Sequence, residues 1–477
     1  MEKLAQFFKL KENNTTVKTE IMAGITTFMA SAFTILAIPG MIAAGDDRIA
    51  NAVFIAACLS SAFGTFLKAF YAKIPFIQAP GMGLGAYFSG TVMGGMAMLV
   101  GADYLPRLEQ YQMAIAIVFI AGVIFTFLTL FGIRDAIIEA IPKNIKLAMG
   151  AGIGLFITLL GLRFSGIVVG SPGTFVTMVN FRNVANLSAD YATYGENYAD
   201  ILTSGKEALG AILAIAGLLL ITILSIKKIK GAILIGVIAT TILSYVTGVV
   251  SFPESFTFNL ASRFTDFFEI SFLQMDFSFL GGGAAWGTIL AFILAFVFVN
   301  MLDALGTIYG ISSANGLVDD EGKVIGLEKG LTADAIGTAV SGVFGTSTVT
   351  TVVSSASGIS EGGRTGLTSL TACILFLFSL FLAPFVVLIP NVAVAPALIY
   401  VGFLMVSHVK EVDFSDPTEA FPAFLTVVIM PLSFSIANGI AFGLISYIVI
   451  KLFTGRVKEV KPIAAIIAFL FILQYIL

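Results

Sequence analysis

Two polar residues stand inside an otherwise apolar stretch and are the first candidates for chemistry. Asn300 and Asp303 belong to the run AFILAFVFVNMLDALGTIYGIS. A carboxylate held in the middle of a bilayer costs about 2.5 to 3.5 kcal/mol, so acids in such runs usually have a function. Residues three apart on a helix lie on the same side. We therefore expect Asn300 and Asp303 to face a binding site, with a structural hydrogen bond between helices as the alternative.

A second acid, Asp334, occurs in the segment LTADAIGTAVSGVFG, closer to the charged loop VDDEGKVIGLEKG. The same cost of burying charge applies to it. Two roles are equally compatible with the pattern: contact with a bound solute, or bracing of a neighbouring helix. The sequence leaves both open.

Two segments in corresponding parts of the chain are unsuited to a helix interior. Residues 79–88 read APGMGLGAYF, and residues 345–355 read GTSTVTTVVSS. Glycine, proline and β-branched residues at this density disfavour helix. We predict that each segment is extended and then starts a half-helix near the middle of the membrane. Free N–H groups and positive dipole ends collect there, which indicates a binding site. Close helix packing through small residues is the alternative.

Composition identifies the elements that must position these groups as membrane helices. Of the 477 residues, 58% are hydrophobic and only 12% charged, and the mean hydropathy is +0.99. Soluble proteins carry about 25% charged residues. Continuous apolar runs indicate about 13 to 14 helical spans rather than the alternating pattern of a barrel. The charged, amphipathic residues 1–20 lack the apolar core of a signal peptide, so we expect the first span to be retained.

Positive charge orients the chain. With fourteen spans and a cytoplasmic N-terminus, 20 of the 26 lysine and arginine residues, Lys68 among them, fall in inner segments. This is the bias expected of cytoplasmic loops. The remaining six are Arg48, Arg107, Arg163, Arg182, Lys206 and Arg263.

The chain divides into two comparable halves. The first is 1–250, the second is 284–477, and 251–283 is a polar, aromatic linker. Seven spans in each half is an odd number, so the second half must lie inverted relative to the first. The C-terminal residues 461–477 form a further apolar segment. We predict an all-α polytopic membrane protein made of two inverted repeats.

Other classes of function have little support in the sequence. The formal charge of −3 gives no indication of nucleic-acid binding, and the single histidine cannot build a metal site or catalytic dyad alone. Cys58 and Cys373 lie in apolar runs, where packing is the better interpretation. We therefore expect neither an enzyme, nor a metal, nor a cofactor.

A resemblance to a known family rests on many ordered motifs. They include ITTFMASAFTILAIPGMI, APGMGLGAYF, AIPKNIKLAMGAGIGLFITLLGL, FVNMLDALGTIYGIS, GTSTVTT, GGRTGLTSL and DPTEAFPAFLTVVIMPLSFSIANGIAFGLISY. They resemble the nucleobase/ascorbate transporter superfamily, in particular its AzgA-like branch of adenine, guanine and hypoxanthine permeases. The match runs over most of the chain.

The resemblance implies a fold and a mechanism. Spans 1 to 4 (about 20–132) and 8 to 11 (about 284–389) would form a core domain, and spans 5 to 7 (about 145–250) and 12 to 14 (about 393–455) a gate domain. Substrate would sit between the domains against short strands in spans 3 and 10. It further implies proton-coupled import across the cell membrane by elevator-like movement of the core, and a homodimer formed through the gate domain.

The resemblance also places the substrate-binding residues, several of which depart from the branch. It implies binding at Gly85, Tyr87, Asn300, Asp303, Val353 and Ser354. Branch members carry asparagine where this chain has Gly85, an acid at Asn300, an aromatic residue at Val352 and glutamate at Ser354. Two interpretations follow: a purine permease with an altered preference, or a carrier of a small anion or other solute on the same scaffold. Asp303 is the candidate proton carrier, because a low-dielectric interior favours the neutral carboxyl.

Overall fold

The computed structural model describes residues 2–101, 104–171, 175–185, 205–229, 231–251, 260–281, 286–315, 317, 324–382, 385 and 388–476. The first part of the chain forms α1 (Glu2–Phe7), α2 (Val17–Ala43), α3 (Asp47–Leu67), β1 (Gln78–Pro80), α4 (Met82–Tyr87), α5 (Met93–Leu99), α6 (Arg107–Leu130), α7 (Ile133–Ala140), α8 (Lys143–Phe164), β2 (Val168–Ser171), β3 (Phe175–Met178), α9 (Gly205–Ile226) and α10 (Ala232–Val246). The second part forms α11 (Leu260–Ile270), α12 (Trp286–Ala314), α13 (Leu327–Phe344), β4 (Val349–Thr351), α14 (Ser355–Ser360), α15 (Gly366–Phe378), α16 (Asn391–Val406), α17 (Pro417–Leu432), α18 (Ile436–Phe453) and α19 (Pro462–Ile476).

Many of these helices are long and apolar enough to cross a bilayer. Within the described residues there are 8 such helices, built on α2, α3, α6, α8, α9, α12, α16 and α18. Shorter apolar helices are built on α10, α15, α17 and α19. The protein is therefore an integral, multi-pass membrane protein, as predicted. The exact count of fourteen spans stays a prediction.

The helices pack in two groups. The strand bundle contains α2, α3, α6, α11, α12, α13 and α15 together with the segments that carry β1 and β4, and the α8–α16 bundle contains α8, α9, α10, α16, α17 and α18. Glycines let the central pairs approach closely. A Cβ added to Gly154 of α8 would lie 2.7 Å from the carbonyl oxygen of Gly402, and one added to Gly342 of α13 would lie 2.6 Å from the backbone nitrogen of Phe119. Such contacts through small residues are typical of membrane helices.

The start of α15 is held by a buried carboxylate from the other half of the chain. Glu20, in the first turn of α2, is fully buried. Its carboxylate accepts hydrogen bonds from the backbone N–H groups of Arg364, Thr365 and Thr368, and from the hydroxyls of Thr365 and Thr368. A negative charge at a helix N-terminus also interacts favourably with the helix dipole. Glu20 therefore ties α2 to α15 at one end of the strand bundle.

We expect Glu20→Ala to lower the free energy of unfolding by about 3 kcal/mol, because it leaves several buried donors without their charged acceptor. The measurement is thermal or denaturant unfolding of the purified protein in detergent. Glu12→Ala is the matched control, since Glu12 forms an ion pair with Lys9 in which both side chains are largely exposed. Equal stability of the two variants would contradict this role for Glu20.

Ion pairs hold one end of the α8–α16 bundle. Lys451, near the end of α18, lies 2.9 Å from Glu419 of α17 and 2.5 Å from Glu459. Arg456 lies 2.6 Å from Asp416, the residue that caps α17. The hydrogen bond from the Arg456 guanidinium holds the pKa of Asp416 well below its usual range.

Two features go beyond the sequence prediction, and the structure adds detail to a third. The segment 251–283, predicted to be a linker, contains α11, which packs on α3. Arg48 of α3 lies 3.0 Å from Asp266 and 2.7 Å from Glu269, and the buried Arg263 donates to Asn51. The strands β2 and β3 form an antiparallel hairpin that the sequence did not predict. The apolar C-terminal segment forms α19, which packs on α18 and α12.

Candidate functional site

The two interrupted segments meet as a pair of short antiparallel strands. β1 pairs with β4 in the register Gln78 with Thr351, Ala79 with Thr350, and Pro80 with Val349. Helix α4 begins at Met82, directly after β1, and α14 begins at Ser355, shortly after β4. The prediction of an extended stretch followed by a half-helix is confirmed for the second segment. In the first it holds only in part, because the strand ends at Pro80 and residues 82–87, predicted to be extended, already form α4. Proline fixes its own φ and donates no N–H. Pro80 is therefore compatible with the end of a short edge strand but not with a helix interior.

A cavity of about 410 Å³ lies in front of these strands, between the two bundles. The strand bundle contributes one wall through α2, α4, α12, α14 and the residues around β1 and β4. The opposite wall consists of Ile153 of α8, Ile233 of α10, and Val401, Leu404 and Met405 of α16. Its volume falls within the range of about 300 to 1,000 Å³ that small-molecule sites occupy.

The two walls differ in chemistry. The polar side chains of the lining, which are Thr34, Asp303, Thr350, Thr351, Ser354 and Ser357, belong to the strand bundle. The lining residues from α8, α10 and α16 are all apolar. Every hydrogen bond between a solute and a lining side chain would therefore be made with the strand bundle, while the other wall supplies apolar contact.

Three of the six predicted binding residues line the cavity. Asp303 and Ser354 are half-buried at its wall, and Val353 is 57% exposed. Val352, where the branch has an aromatic residue, also lines it. The structure thus brings the acid of α12 and the residues after β4 to one small space. Their contact with substrate stays a prediction.

Gly85, Tyr87 and Asn300 do not line this cavity. Gly85 is buried where an added Cβ would collide with Ile38. The Tyr87 ring is fully buried and packs edge-on against Phe296, with ring centroids 5.3 Å apart. These three residues do not face the cavity in this structure. Their predicted role in substrate binding stays a prediction.

The position of Asn300 has a geometric reason. On an α-helix, residues three apart differ in direction by about 60° and residues four apart by about 40°. Val299 and Asp303, four apart, both line the cavity. Asn300 is turned toward α13, where its amide donates to the Thr338 hydroxyl. Asn300 therefore makes a structural hydrogen bond between two helices, which was the alternative to a role in the binding site.

Asp334 braces helices and does not line the cavity. It forms a fully buried ion pair with Lys68, with 2.7 Å between Lys68 Nζ and Asp334 Oδ2. The Thr351 hydroxyl donates to both carboxylate oxygens, at 2.9 and 2.8 Å. This answers the question that the sequence left open. Lys68, which was counted among the positive residues of the inner segments, is thus buried inside the bundle, where the ion pair compensates its burial.

Sequence reasoning missed most of the apolar wall and part of the polar one. Thr34 and Phe33 of α2, Ser357 of α14 and Met405 of α16 line the cavity, and none was predicted to do so. Ser357 lies about one helical turn after Ser354, so its place in the lining could have been predicted from the sequence. Ile153, Ile233 and Leu404 are ordinary apolar residues in apolar spans, and nothing in the sequence distinguishes them as lining residues.

The hydroxyl-rich run before α14 is largely buried. Within the described part of the chain, the side-chain oxygens of Thr346, Ser347, Thr348 and Thr350 make no hydrogen bond. Of these residues, Thr350 lines the cavity. Buried hydroxyls usually find a partner in the protein or in ordered water. The strands thus carry hydrogen-bonding capacity beyond what their own pairing uses.

A small cavity where two interrupted membrane helices meet is the site architecture of secondary transporters, and this protein is a membrane transporter rather than an enzyme. The sequence model of the permease family (xanthine and uracil permeases) matches residues 18–189 and 184–442. The chain belongs to this permease family, the nucleobase/ascorbate transporter family.

Named relatives cover the whole chain. It is 36% identical to the adenine permease AdeP of Escherichia coli over 480 residues, covering 99% of this chain and 96% of AdeP. It is 35% identical to the guanine/hypoxanthine permease PbuO of Bacillus subtilis, covering 98% and 99%. Among solved structures, the transmembrane domain of the cyanobacterial bicarbonate transporter BicA superposes with a TM-score of 0.61 at 18% identity, covering 88% of this chain and 97% of that domain. This last likeness concerns the fold alone.

Proposed function

We propose that the protein is a secondary active transporter that imports purine nucleobases of the hypoxanthine, guanine or adenine type, coupled to a cation, with the proton as the coupling ion. The observation that carries this proposal is the cavity, which places the Asp303 carboxylate opposite an apolar wall. A purine presents N–H donors that a carboxylate accepts with charge-assisted strength, and an apolar surface suits the faces of its ring. The full-length relatives that are purine permeases support the same substrate class.

The contrast between the walls supports elevator-like alternating access. A solute held by hydrogen bonds to the strand bundle would move with that bundle. The solute would slide along the apolar wall of the α8–α16 bundle, since apolar contact has little directional preference. That wall consists of Ile153, Ile233, Val401, Leu404 and Met405. We accordingly assign the strand bundle to the core domain and the α8–α16 bundle to the gate domain.

The pattern of helix contacts supports fourteen spans in two inverted repeats. In this assignment α2 corresponds to α12, α3 to α13, α6 to α15, α8 to α16, α9 to α17 and α10 to α18. Corresponding helices make corresponding contacts. α2 packs on α15 as α12 packs on α6, and α3 packs on α15 as α13 packs on α6. α9 packs on α10 as α17 packs on α18, and the β1–β4 pair lies between the halves. We further propose a cytoplasmic N-terminus in the plasma membrane and a homodimer formed through the gate domain.

A small anion is the less favoured solute. Asp303 lines the cavity and would repel an anion, since burying like charges together is costly. BicA is a bicarbonate transporter, but the likeness of this chain to it concerns only the fold.

The test is competition for uptake in proteoliposomes. Labelled hypoxanthine is offered with an excess of guanine, adenine, uracil, bicarbonate or chloride. We expect saturable hypoxanthine uptake that the purines inhibit and the anions do not. Uptake of an anion together with indifference to every nucleobase would overturn the proposal.

A further inference from the structure

The buried ion pair behind the cavity is joined directly to one of the two strands. Lys68 Nζ donates to Asp334 Oδ2 and to the carbonyl oxygen of Gly330, both at 2.7 Å. Both charged side chains are completely buried. The Asp334 carboxylate also accepts from the Thr351 hydroxyl at the end of β4. Three elements, α3, α13 and β4, thus meet at one carboxylate.

Stability alone is a poor explanation for such a pair. Removing two charges from water costs about as much as their attraction returns, so a buried ion pair adds little net stability compared with apolar packing. What a hydrogen-bonded buried pair does supply is a defined geometry for the groups around it. The element whose geometry it defines here is β4.

Alternation along β4 places this contact on the side away from the solute. Neighbouring strand residues point to opposite faces. Thr351 points to Asp334, and Val349 faces Gly337 of the same helix. Thr350 and Val352 therefore point to the other face, toward the cavity that they line. Thr351 also contributes to the lining, but its hydroxyl is turned away to Asp334. The back of β4 is held by α13, and its front faces the cavity.

A second contact holds the other end of the strand. The Thr338 hydroxyl, on the same helix as Asp334, lies 3.3 Å from the carbonyl oxygen of Val349, and Asn300 donates to that hydroxyl. The partner strand has its own support, because the backbone N–H of Gln78 donates to the Thr65 hydroxyl at 3.0 Å. Helix α13 thus grips β4 at both ends, once through a neutral hydroxyl and once through a charge.

We propose that Asp334, held by Lys68, is a positioning residue for solute binding. Through Thr351 it fixes β4, and with β4 it fixes Thr350, Val352 and Ser354 at the cavity wall. It touches no solute itself. The inference rests on the proposed function for the identity of the solute, but the placement of the strand is independent of that identity.

Thr351→Val tests this with little change of shape, because valine keeps the β-branched form and loses only the hydroxyl. Losing a hydrogen bond to a charged group that orders the site corresponds to about a tenfold rise in KM for hypoxanthine, with Vmax within about twofold of wild type. Thr351→Ser restores the hydroxyl and should restore KM. Thr222→Val is the matched control, since the Thr222 hydroxyl bonds only to Leu218 of its own helix among the contacts the structure gives it.

A second measurement is independent of the solute. We expect hydrogen–deuterium exchange of the peptide covering 346–357 to accelerate in Thr351→Val, and to match wild type in Thr351→Ser and Thr222→Val. Asp334→Asn should accelerate it as well. Because breaking a buried ion pair destabilises a fold by itself, the Thr351 variants carry the test.

The outcomes separate the two proposals. Absence of purine uptake by the wild-type protein overturns the proposed function, and the exchange data then decide the positioning role alone. Purine uptake by the wild type with unchanged KM and unchanged exchange in Thr351→Val overturns the positioning role. A rise in KM that Thr351→Ser does not reverse also overturns it.

Discussion

Asp303→Asn is expected to abolish saturable purine uptake, lowering the rate at subsaturating substrate by about 100-fold. Asp303 is the one carboxylate among the described residues that line the cavity. A hydrogen bond from a purine N–H to a carboxylate contributes about 1.5 to 3 kcal/mol, and an amide oxygen is a weaker acceptor. Loss of one such bond, together with loss of the group that would exchange the coupling proton, accounts for an effect of this size.

The assay is initial uptake of labelled hypoxanthine into proteoliposomes with an imposed pH gradient. Asp276→Asn serves as the control, because Asp276 is a half-buried residue outside the cavity lining whose carboxylate accepts hydrogen bonds from Ser278 of its own turn. Wild-type uptake by Asp303→Asn would refute the assignment of Asp303 to the site. Residual uptake with the pH dependence of the wild type would remove Asp303 as the proton carrier and leave it only a binding role.

Ser354→Glu is expected to tighten purine binding by about 10- to 100-fold, the equivalent of one charge-assisted hydrogen bond. The resemblance to the AzgA-like branch places a glutamate at this position, and the structure places Ser354 at the wall of the same cavity as Asp303. Ser354 is half-buried, so a longer side chain has open space to enter. The new carboxylate would accept a further N–H of the base.

The comparison that decides this prediction is with Ser354→Gln. Glutamine has the same length and shape as glutamate but no charge, so it controls for filling of the cavity. The measurement is the rise in melting temperature of the purified protein with increasing guanine, which reports affinity for the folded state. Equal affinity of the glutamate and glutamine variants would show that the charge at position 354 is irrelevant to the base.

Two kinds of local signal made parts of the site predictable from the sequence. One is residues that disfavour a helix inside a membrane span, and the other is a charged residue whose burial in a bilayer is costly. Pro80 and Gly81 in one half, and the threonine and serine run before Ser354 in the other, are unsuited to a helix interior, and both places became strands. Asp303 was identifiable because a carboxylate in an apolar run needs a reason. These inferences depend only on residue types close together in the chain, so no knowledge of the tertiary structure is needed for them.

What the sequence could not supply depends on the relative rotation and depth of helices. Asn300 and Asp303 are close in sequence, yet about 60° of rotation on the helix was enough to send one to α13 and the other to the cavity. The ion pair of Lys68 with Asp334 was not predictable, because the two residues are distant in the chain. The sequence does not distinguish Leu404, which lines the apolar wall, from a lipid-facing leucine, because that depends on the orientation of α16 in the bundle.

The pairing of β1 with β4 has a consequence for biogenesis. One strand is supplied early in translation and the other only after α13 has been made, so a nascent chain that ends before residue 349 has no complete binding surface. Cargo cannot assist the insertion of the first half, and a ligand that rescues a poorly folding variant would act only once synthesis has passed that point.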